Sequence, residues 1–113
     1  MTDRGAHKIS QVLIGGEAGQ GVILQGIILA DAAVAGGAWV AQTARYGAAM
    51  RGGEATAGVV ISDSPIDFPY VEQADYLVLL SQQTYAKYAT GAGQLVVYDP
   101  FFVTPDAHEG IDQ

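Results

Sequence analysis

Residues 14–22 read IGGEAGQGV, with glycine at four of the seven positions from 15 to 21. The run before it, HKISQVLIGG (7–16), is short and rich in β-branched residues. It reads as a strand that ends at Ile14, where Gly15-Gly16 stops it. The run after it, GVILQGIILADAAVAGG (21–37), reads as a helix that starts near Gly21 and is closed by Gly36-Gly37. A strand that passes through a glycine loop into a helix leaves backbone amides, and the positive end of the helix dipole, facing whatever lies above the loop. Anions such as phosphates are the usual occupants.

Outward from this loop the same alternation continues. AWVAQTA (38–44) and EATAGVVIS (54–62) are strand candidates, the second ending in the turn signal DSP. IDFPYVEQAD (66–75) holds Pro69 ahead of a short turn or helical piece, and YLVLLS (76–81) has the unbroken apolar pattern of a strand covered on both faces. SQQTYAKYA (81–89) reads as a short helix with Ser81 as its N-cap, and GQLVVYD (93–99) as the last strand. Alternating strands and helices predict a three-layer α/β domain with a mostly parallel sheet and a Rossmann-like first strand–loop–helix unit.

The chain has 113 residues, half of them hydrophobic, which is enough for one domain with a modest core. It contains no cysteine, so cysteine-ligated iron–sulfur clusters, Cys-type zinc sites and disulfides are excluded from it. The apolar stretch from Val22 to Val34 is broken by Gln25, Gly26 and Asp31 and is shorter than the roughly 20 residues of a membrane span. No membrane segment is expected, and a polar start without a signal peptide makes the cytoplasm the expected compartment. The net charge of −7 lies in the second half: acids and bases balance over residues 1–60, whereas 61–113 hold eight acids and only Lys87. Nucleic-acid binding, which needs a basic footprint, is not expected.

The loop matches known phosphate-binding patterns only in part. Gly16-Glu17-Ala18-Gly19-Gln20-Gly21 has Ala18 where a dinucleotide fingerprint has its middle glycine, and it lacks the lysine of a P-loop. No acid for a ribose appears from Trp39 to Thr43. On the residues alone, the glycines either permit a tight strand–helix crossing or contact an anion. Helix 22–35 has little polar face, so it should be buried on more than one side, against the sheet and against a partner.

A second stretch, RYGAAMRGGEATAGVVIS (45–62), places Arg45 and Arg51 beside flexible backbone at Gly47 and Gly52-Gly53. Two guanidiniums there either form an anion-docking corner or pair with local acids such as Glu54. His7 and His108 flank no acid or nucleophile in a recognisable motif, and Asp63, Asp67 and Asp75 suit a turn and a strand entrance better than a metal site. Tyr85 and Tyr88, three apart, suit packing, and Trp39 is expected in the core or an interface.

Three segments in order, GGEAGQGVILQGIILADAA, YGAAMRGGEATAGVVIS and ADYLVLLSQQTYAKY, resemble the gamma subunit or gamma domain of the 2-oxoacid:ferredoxin oxidoreductases of the pyruvate, 2-oxoglutarate and indolepyruvate type. The family loop GxGGQG is matched at Gly16, Gly19, Gln20 and Gly21 but not at Ala18. The YGxxxRGG element is matched at Tyr46, Gly47, Arg51, Gly52 and Gly53. The resemblance covers residues 8–99 of a single domain spanning 1–113. Residues 100–113 form a tail, and the later helices of the family domain are expected to be missing.

The resemblance implies an accessory subunit of an enzyme that oxidatively decarboxylates 2-oxoglutarate or pyruvate with coenzyme A, giving acyl-CoA, CO2 and reduced ferredoxin. It implies alpha and beta partners, and in some assemblies a ferredoxin-like delta subunit, that carry thiamine diphosphate, magnesium and iron–sulfur clusters. The chain itself then has no catalytic residue and no metal. Its expected cofactor-contacting residues, toward coenzyme A, are Gly16, Gly19, Gln20, Gly21, Arg51, Gly52 and Gly53. The alternatives are a free-standing nucleotide- or dinucleotide-binding module and a purely structural interface domain.

Overall fold

A computed structural model describes residues 8–17, 19–46, 53–89, 95–100 and 103. Their elements are β1 (Ile9–Glu17), α1 (Val22–Ala35), β2 (Trp39–Tyr46), β3 (Glu54–Ser62), β4 (Tyr76–Leu79), α2 (Gln82–Tyr88) and β5 (Leu95–Tyr98). The five strands form one sheet in the order β2-β3-β1-β4-β5. β1, β4 and β5 pair in parallel, whereas β3 is antiparallel to both β1 and β2. Four strands therefore point the same way and β3 alone is reversed. β3 fills the slot between β1 and β2 that the α1 crossover leaves open. Strand–helix alternation cannot reveal that insertion, because the order of strands along the chain does not set their order in the sheet.

Side-chain alternation sorts the core into two layers. On one face Val12, Ile14, Ala55, Ala57 and Val59 are buried beneath α1. On the other, Leu77, Leu79 and Val96 pack with Tyr85 of α2, with Ala89 at its C-cap and with Val103. Helices thus cover both faces, and the three-layer expectation holds. α1 approaches the sheet through a stripe of small residues, with Val22, Gly26 and Ala30 buried at four-residue spacing. Ile23 and Leu29 pack beside this stripe, whereas Leu24, Ile28 and Val34 are each more than half exposed. Among the described residues, only the sheet-facing side of this helix is covered.

Boundaries follow local chemistry. α1 ends at Gly36, and Gly37 takes φ 94°, a left-handed conformation that glycine adopts without a Cβ penalty. At the start of α2, Ser81 is extended and its Oγ accepts a hydrogen bond from Thr84 N–H at 3.2 Å, the expected N-cap. Residues 66–75 form bends and no helix. Asp75 stands at the entrance to β4, where its Oδ2 accepts from Gln11 N–H at 2.8 Å. Tyr85 is buried edge-on against Tyr98. Trp39, expected in the core or an interface, is half exposed, because the outer strand β2 turns it away from α1 and toward solvent. Among the described residues no helix is long and apolar enough to cross a membrane.

Candidate functional site

β1 does not stop at Ile14. It continues through Gly15 and Gly16 to Glu17, which pair with Thr56, Ala55 and Glu54 of β3. Two of the loop glycines are therefore strand residues selected for close packing. A Cβ on Gly15 would lie 3.2 Å from Thr84 Cβ, and one on Gly16 would lie 2.9 Å from Val22 Cγ2. Gly19 and Gly21 differ: both have positive φ, 97° and 77°, with open space where a side chain would stand. Their requirement is conformational. Gly21 is the N-cap of α1 and supplies no side chain to the first turn, which also lacks an acidic residue. No side chain caps the first turn of α1, and none within that turn carries a charge to offset the positive end of the helix.

Gln20 behaves unlike its neighbours. Its Oε1 accepts from Glu17 N–H at 2.7 Å, its Nε2 donates to Leu80 C=O at 2.8 Å, and its own N–H donates to Glu17 C=O at 3.0 Å. Its side chain is thus directed at the backbone on both sides.

The loop lies at the carboxyl ends of β1 and β4. These two neighbouring parallel strands lead into α1 and α2, and those helices cover opposite faces of the sheet. This is the switch point of an open α/β sheet, where strand ends diverge and ligands bind. A groove of about 460 Å³ opens there, lined by Glu17, Gln20, Leu80, Ser81, Gln82 and Gln83. On the other side of the loop a second hollow of about 480 Å³ is bordered by Gly19, Gly21, Val22, Leu24, Tyr46 and Ala55. Glu17 lines both hollows and is the sole charged residue among the described residues doing so.

The two glycine segments of the sequence share this edge. Glu17 faces Glu54 across the β1–β3 ladder, and Tyr46 faces Ala55 across β2–β3, so Gly53 stands at the same end as Gly16. Arg51 and Gly52 lie outside the described residues, as do Ala18, Phe101, Phe102, His7 and His108. The pairing of an arginine with Glu54, one of the two readings of the arginine corner, is not what Arg45 does. Glu54 is held instead by Lys87 Nζ at 3.2 Å and by Tyr88 O–H at 2.9 Å. The hydrogen bond to Glu54 raises the Lys87 pKa above its usual value. Burial, then the same carboxylate, raises that of Tyr88.

Sequence reasoning did not place Leu80 and the segment Ser81–Gln83 in the site. Their proximity to the loop depends on β4 lying beside β1, which strand spacing along the chain does not indicate.

A family model described as pyruvate ferredoxin/flavodoxin oxidoreductase matches residues 11–113. The chain belongs to the pyruvate ferredoxin/flavodoxin oxidoreductase family. Within that family it is 41% identical over 115 aligned positions to the 2-oxoglutarate synthase subunit KorC of Methanocaldococcus jannaschii, covering 99% of this chain and 62% of that one. Two solved structures share the fold. The gamma subunit of keto/oxoacid ferredoxin oxidoreductase from Geobacter sulfurreducens matches with TM-score 0.76 and 31% identity, over 92% of this chain and 58% of that one. The 2-oxoglutarate:ferredoxin oxidoreductase from Magnetococcus marinus, with 2-oxoglutarate, coenzyme A and succinyl-CoA bound, matches with TM-score 0.81 and 26% identity, over 92% of this chain and 19% of that one. This member of the oxidoreductase family thus spans about three-fifths of the length of the KorC relative and about one-fifth of the Magnetococcus chain.

Proposed function

We propose that this chain is a gamma-type accessory component of a 2-oxoacid:ferredoxin oxidoreductase, working with alpha and beta partners and, in some assemblies, a ferredoxin-like delta subunit. The assembly would decarboxylate a 2-oxoacid oxidatively with coenzyme A and pass the electrons to ferredoxin in the cytoplasm. 2-Oxoglutarate is the first substrate to test, with pyruvate second. Thiamine diphosphate, magnesium and the iron–sulfur clusters belong to the partners in this reading, since a chain without cysteine offers no thiolate for a cluster.

The observation that carries the proposal is the position of the glycine loop, at the carboxyl edge of the sheet in a chain of this family. Gly19 and Gly21 present backbone to open space there, and the first turn of α1 has no competing acid. Phosphate oxygens of coenzyme A suit such a surface. Glu17 opposes an anion, so the compensating charge is assigned to Arg51, with Gly52 and Gly53 allowing close approach. The exposed side of α1 is proposed to face a partner subunit.

The test is a structure of the assembled enzyme with coenzyme A, after co-purification of the chain from native extract with thiamine- and cluster-bearing partners. Phosphates within hydrogen-bonding distance of the Gly19–Gly21 amides or Arg51 are expected. Phosphates bound remote from both would overturn the siting, and a chain that purifies alone would overturn the assembly.

A further inference from the structure

The parallel β1–β4 ladder ends in an irregular way. Gly15 is the register partner of Leu79, and Leu80 N–H donates to Gly15 C=O at 2.8 Å. In a parallel pair the next bond would run directly from Glu17 N–H to Leu80 C=O. Here the Gln20 amide stands between those two groups, accepting from Glu17 N–H at 2.7 Å and donating to Leu80 C=O at 2.8 Å. One rung of the ladder has become two hydrogen bonds joined by an amide, which separates the strand ends where the groove opens. Gly16 makes room for this insertion. A Cβ there would lie 2.8 Å from Gln20 Oε1.

We infer that Gln20 is a positioning residue: its side chain is an inserted rung that holds the ends of β1 and β4 apart and sets the Gly19–Gly21 amides for a phosphate-bearing ligand. It acts through the backbone and does not itself contact that ligand. A glutamine suits this task because its amide is at once acceptor and donor. Its bearing on coenzyme A rests on the function proposed above, whereas the rung is testable without ligand.

The experiment uses the assembled enzyme carrying Gln20→Met, which keeps the length of the side chain and removes both bonds, and Gln20→Glu. Amide hydrogen exchange resolved at Glu17 is expected to quicken about tenfold in Gln20→Met, the effect of losing a hydrogen bond with a net worth near one power of ten. The KM for coenzyme A is expected to rise by a similar factor with kcat little changed. Gln20→Glu should keep exchange at Glu17 slow at neutral pH, because a carboxylate still accepts from Glu17 N–H. It should nevertheless raise the KM for coenzyme A, because it cannot donate to Leu80 C=O; that KM should recover as pH falls and the carboxyl gains the proton it donates. Glu17, the titratable residue lining this groove, is present in both variants, so their ratio isolates residue 20. Unchanged exchange at Glu17 in Gln20→Met, or a raised KM without acid recovery in Gln20→Glu, overturns the inference. Faster exchange with an unchanged KM supports the rung and overturns the siting of coenzyme A.

Discussion

In the proposed site the electrostatic burden is assigned to Arg51, because the charged side chain that lines both hollows among the described residues, Glu17, has the wrong sign for an anion. A charged donor on a phosphate contributes about 1.5–3 kcal/mol. Arg51→Gln should therefore raise the KM for coenzyme A about ten- to a hundredfold in the assembled enzyme, read by steady-state kinetics, with thermal stability unchanged. Glu54 has a different task, gathering Lys87 and Tyr88 at the start of β3. Burial and this carboxylate raise the Tyr88 phenol above its usual pKa of 10.0, so the folded chain holds that proton more tightly than the unfolded one. The associated stability is complete below the unfolded value and is lost as pH rises through the folded one. Glu54→Gln should lower the Tyr88 titration, followed by NMR of its ring carbons, and weaken this alkaline dependence. An unmoved titration would assign the shift to burial alone.

Between elements, α1 approaches β3 closely. A methyl on Gly26 would come within 2.8 Å of Ala57 Cβ, on a fully buried residue in the middle of a strand. Gly26→Ala gains about 1 kcal/mol of helix propensity. Overpacking costs typically about 1–3 kcal/mol where no flexible neighbour can yield. The net expectation is a loss of about 1 kcal/mol, seen as a lower denaturation midpoint with an unchanged slope. A gain in midpoint would show that α1 can lift off the sheet, and the stripe Val22, Gly26, Ala30 would lose its meaning as a contact. The element boundaries themselves were readable where capping chemistry is local: Gly36-Gly37 closes α1 and Ser81 opens α2, as their residue types imply. The end of β1 was not. Gly15 and Gly16 have the composition of a loop, and only the partner strand β3 draws them into the sheet.

At the scale of the whole molecule, α1 presents Leu24, Ile28 and Val34 on its exposed face, each about 60% exposed. Asp31 is the one charged residue of this helix. Placing a charge in such a surface leaves the fold alone and penalises any apolar contact made there. Ile28→Asp should keep the chain folded by circular dichroism while reducing its co-purification with the proposed alpha and beta partners at least tenfold. Full retention of the partners would move the interface elsewhere.

The sequence by itself determined the alternation of strands and helices, the caps, the glycine loop with its neighbouring arginine segment, and the family resemblance. All of these are encoded in residues close together along the chain, where turn chemistry and apolar periodicity act. Tertiary structure alone decided that β3 reverses between β1 and β2, that β4 lies beside β1 with its helix on the opposite face, and that Gln20 spans the gap between them. Those outcomes arise from hydrogen bonds between separate segments, such as that from Gln20 to Leu80, sixty residues on. Local sequence carries the donors and acceptors for such bonds and says nothing of which ones will meet.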